Sequence, residues 1–71
     1  MKLGYYNPQL RVKQIKKGGR VVGDLVLTHR AYGYTVQLHY FDTPGYTVNE
    51  SFTEQYQAEN RFDKVYEEAL K

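Results

Sequence analysis

The chain contains no cysteine, so it has neither a disulfide framework nor a thiolate metal site. It has no run of about 18 apolar residues, which argues against a helical membrane span. Its first residues lack the apolar core of a secretory signal, so the expectation is a cytoplasmic protein. Serine occurs once, at Ser51, and histidine only at His29 and His39. These are too few residues to suggest a nucleophile with its base and orienting group, or a converging set of metal ligands. Gly18-Gly19 is not followed by the Lys-Ser/Thr and helix start of a phosphate loop. The expectation is a protein that is not an enzyme and holds no cofactor.

What the chain does have is aromatic bulk and an uneven charge distribution. Its 71 residues make one domain, 1–71, with 1–8 read as an arm or short strand. A core of this size rarely supplies more than about 3–5 kcal/mol. Eight Tyr and three Phe provide large areas to bury. The formal net charge is +2. Before Asp24 the charged residues are Lys2, Arg11, Lys13, Lys16, Lys17 and Arg20, all basic. After Val22 the four basic residues Arg30, Arg61, Lys64 and Lys71 stand against eight acids. Such a split implies a polarised surface field.

Hydrophobic spacing predicts the elements. From Glu54 to Leu70, Ala58, Phe62, Val65 and Ala69 recur at the spacing of a buried helical stripe. Thr53 reads as the N-cap, with Glu54 in the first turn. A helix this short is marginal in water and needs a partner surface for its stripe. Strands supply that surface. Gln9–Lys17 has Leu10 and Val12 on one face, and Ile15 breaks the alternation. Gly18-Gly19 signals a tight hairpin into Arg20–Thr28. There Val21, Leu25 and Leu27 share one face, and Val22, Asp24, Val26 and Thr28 share the other. Gly23 marks a bulge or a close backbone approach.

Tyr34–Phe41 alternates Tyr34, Val36, Leu38 and Tyr40 with Thr35, Gln37, His39 and Phe41; the first set is expected to meet the helix. Pro44-Gly45 suits a type II turn. In Tyr46–Phe52, Tyr46, Val48 and Phe52 share a face, with Glu50 out of place among them. The fold class is therefore α+β: an antiparallel ββββα meander of three to four strands, with one C-terminal helix packed on one sheet face. The other face, with Thr35, Gln37, His39, Thr47, Asn49 and Ser51, is left to solvent.

Candidate contacts follow from exposure and charge. Arg11, Lys13, Lys16, Lys17 and Arg20 form a basic β-hairpin over residues 9–20, a shape that fits the major groove. The competing reading is that its lysines protect an edge strand. Tyr5, Tyr6, Tyr32, Tyr56 and His39 are the candidate aromatic contacts.

The strands with their Gly turn, then Phe52-Thr53 and a helix carrying Ala58 and Phe62, resemble the arm-type DNA-binding module of phage and transposon integrases. The likeness covers roughly Lys13 to Lys71. The same outline is similar to small phage-encoded inhibitors, including anti-CRISPR proteins. The first resemblance implies groove binding by the sheet. The second implies a non-catalytic protein that docks on a macromolecular partner and modulates it, in the host cytoplasm if phage-encoded. The third and fourth strands carry almost no basic residues on the open face, unlike the arm-type pattern. A protein partner is thus the first expectation and DNA or RNA on the basic hairpin the alternative. Self-association, with the acidic helix of one copy on the basic hairpin of another, is a third reading.

Overall fold

A computed structural model describes residues 8–71. Four strands and one helix follow in order: β1 (Gln9–Lys17), β2 (Arg20–Arg30), β3 (Gly33–Tyr40), β4 (Val48–Phe52) and α1 (Gln55–Ala69). The strands form a single antiparallel sheet in the order β1-β2-β3-β4, so the meander is as expected. Each connection is short enough to keep sequential strands as neighbours. Gly18 and Gly19 close the first hairpin with φ of 60° and 80°, the positive values a primed turn requires.

The helix stripe is the one the spacing predicts. Ala58, Phe62, Val65 and Ala69 are buried against Ile15, Leu25, Leu27, Val36 and Leu38. Tyr34, Tyr40, Val48 and Phe52 pack around this core. Glu50 is also accounted for: its carboxylate takes two hydrogen bonds from the Arg61 guanidinium, at 2.9 and 3.2 Å. A charged side chain on a packed face is tolerable when paired and partly exposed.

Several local assignments change. On β1 the buried residue is Ile15, whereas Leu10 and Val12 are 40% and 52% exposed. The strand has bulges on both sides of its pairing with β2. Gln9 opposes Thr28 and Arg11 opposes Leu27, so Leu10 is the extra residue. At the other bulge Ile15 opposes Gly23 and Lys16 opposes Val21, leaving Val22 unpaired in β2. Val22 thereby packs against the core, not on the face of Asp24 and Val26. Gly23 is needed beside this bulge: an added Cβ would lie 2.5 Å from the His39 carbonyl oxygen.

The connection after His29 is a tight two-residue turn at Ala31-Tyr32, with Arg30 paired to Gly33. The fourth strand is shorter than expected and leaves Tyr46 in the loop. That loop closes through the Thr43 N–H donating to the Tyr40 carbonyl at 3.1 Å, and Gly45 takes φ 75°. Thr53 is not the cap. Glu54 is the N-cap residue in extended conformation, and no side chain caps the helix. The helix therefore begins one residue later, and Glu54 lies before its first turn.

Candidate binding surface

The basic hairpin does not present its charges together. Alternation along β1 turns Arg11 and Lys13 toward α1, on the side of Ile15. The Arg11 guanidinium lies 2.8 Å from Glu59 Oε1 and 3.0 Å from Asp63 Oδ1. It also sits 4.3 Å from the centroid of the Phe62 ring. The Arg11 pKa is raised, first by the hydrogen bond from its side chain to Glu59, against the opposing effect of desolvation. The Lys13 ammonium stands 5.1 Å from the Tyr66 ring centroid. Lys17 Nζ donates to the Lys71 carbonyl at 3.4 Å, where a cation suits the helix C-terminal end. Lys16 and Arg20 are exposed beside the Gly-Gly turn, Lys16 on the side away from α1.

The candidate aromatics scatter. Tyr5 and Tyr6 lie outside the described residues. Tyr32 is 95% exposed at the β2–β3 turn, and Tyr56 is 64% exposed in the first turn of α1. His39 alone joins a cluster. It lies on the face of the sheet away from α1, which no other described element covers, in edge contact with Phe41 at 6.0 Å and Tyr46 at 6.1 Å between ring centroids. Phe41 and Tyr46 are both more than half exposed. Phe41 falls in the alternating set of His39, which marked its side. Tyr46 was hidden by being counted in the strand with Val48.

The same face holds a shallow concavity of about 370 Å³, lined by Asp24, Val26, Thr28, Arg30, Gln37, His39 and Tyr46 among others. Two of its polar groups have side-chain partners. Gln37 Nε2 donates to Asn49 Oδ1 at 3.2 Å, and Arg30 Nε donates to Thr35 Oγ1 at 3.2 Å. Val26 lines it and faces Val12 across β2 and the edge strand β1. Such a surface, apolar in patches and near-neutral, can cover a complementary surface at modest desolvation cost. Among the described residues no group of three His, Asp or Glu side chains is placed to hold a metal ion. No helix among the described residues is long and apolar enough to cross a membrane. No family model, curated protein or solved structure matches this chain.

Proposed function

We propose that this chain is a small non-catalytic binding protein that docks on a macromolecular partner through the uncovered face of its sheet and modulates that partner. The observation that supports this reading is the cluster of half-buried His39 with exposed Phe41 and Tyr46 on a face of nearly balanced charge. Aromatic anchors within a polar surround are the composition of a protein-binding patch. The nucleic-acid alternative is supported by Lys16 and Arg20 alone at the hairpin tip. Arg11, Lys13 and Lys17 instead have partners on α1 or at Lys71.

The test is capture by the immobilised chain from extracts of its source, with face and hairpin variants side by side. Tyr46→Ala and Val12→Lys should each lose a stoichiometric partner that wild type retains. Lys16→Ala/Arg20→Ala should retain it. In parallel, labelled duplex and single-stranded DNA are titrated at two salt concentrations. The reading fails if capture is indifferent to the face variants, or if DNA binds with steep salt dependence and is lost in Lys16→Ala/Arg20→Ala.

A further inference from the structure

Building on that reading of the uncovered face, we propose that its occupant is a second copy of this chain. The two sheets pack face to face about a twofold axis that crosses β2 near Leu27. The charge pattern of the face carries the argument. Between the bulge at Val22 and the turn at Ala31, the uncovered sides of β2 and β3 carry two formal charges, Asp24 and Arg30. They have opposite sign and lie six residues apart on one strand, about 20 Å at strand rise.

A twofold axis midway between them, perpendicular to β2 and lying between the sheets, exchanges their positions. Each Asp24 then meets the other copy's Arg30. A covering surface that did not supply both charges at this spacing would bury them unpaired, which is costly. A second copy supplies both by symmetry, as an isologous interface does.

The same axis lays the His39, Phe41 and Tyr46 group of one copy over the Arg30 end of the other. Val26 falls near the centre, where an interface is driest, with Val12 beside it on the edge strand. Aligned sheets pack about 10 Å apart at roughly −30°. Four strands about 4.8 Å apart and about eight residues long present on the order of 500 Å². The total of about 1,000 Å² sits at the threshold of a specific interface, so the dimer is weak and dissociates on dilution.

Sedimentation equilibrium over a wide concentration range tests this. Wild type should pass from the 8.4 kDa monomer to twice that mass as concentration rises. Asp24→Arg alone and Arg30→Asp alone should each stay monomeric with unchanged circular dichroism. Mixed together, the two variants should recover the doubled mass, because each supplies the charge the other lacks. Should Asp24→Arg fail to fold, Asp24→Asn should weaken the dimer by about tenfold. A wild type that stays monomeric throughout, or a dimer indifferent to both reversals, overturns the proposal. If wild type stays monomeric while Tyr46→Ala still loses a captured partner, the second copy is wrong and the docking face stands. If neither effect is seen, both fall.

Discussion

At the scale of single residues, Arg11 determines what β1 is for. Its guanidinium bridges two helix carboxylates and lies against Phe62. The pairs are partly exposed, so each is worth less than about 1 kcal/mol; the cation–π contact adds a similar amount. Arg11→Ala should therefore lower unfolding stability by about 1–2 kcal/mol in urea titration. Lys16→Ala, at an exposed position, should fall within about 0.5 kcal/mol of wild type. Equal effects from the two would mean that Arg11 is as free as Lys16. The Arg11 contribution does not titrate near neutrality. A raised pKa makes it fully present below the ordinary arginine value and lost only as pH rises through the higher folded one.

At the scale of elements, periodicity read α1 and β3 well because each has one buried face. The stripe of Ala58, Phe62, Val65 and Ala69 and the alternation from Tyr34 to Tyr40 both follow from that. β1 is harder to read for the opposite reason. As an edge strand its covered side carries Arg11 and Lys13, and its exposed side carries Leu10 and Val12. Apolar alternation then points the wrong way. The bulge at Val22 flips a side chain that strict period two cannot flip. The helix start went wrong because Thr53 has the better capping chemistry, yet the chain turns into the helix after Glu54. A consequence can be measured. Thr53→Ala should leave the urea midpoint almost unchanged, whereas Glu54→Asp should stabilise by about 0.5–1 kcal/mol through a side-chain cap. A large loss in Thr53→Ala would restore Thr53 as the cap.

At the scale of the whole molecule, the division of charge along the chain becomes a contact within it. The basic first strand and the acidic helix meet across the edge of the sheet, through Arg11 with Glu59 and Asp63. Composition showed the two halves but not that one folds onto the other, since pairing across the core is set by register. The face away from α1, with His39, Phe41 and Tyr46, is the surface we propose for recognition. Nitrogen-15 amide spectra recorded on dilution test most directly whether a second copy covers that face. Amides of Val12, Val26, Gln37, His39 and Tyr46 should shift with concentration, while those of Lys64 and Glu67 on the outside of α1 stay fixed. Shifts confined to α1 and the Lys16–Arg20 turn, or none at any concentration, would contradict it.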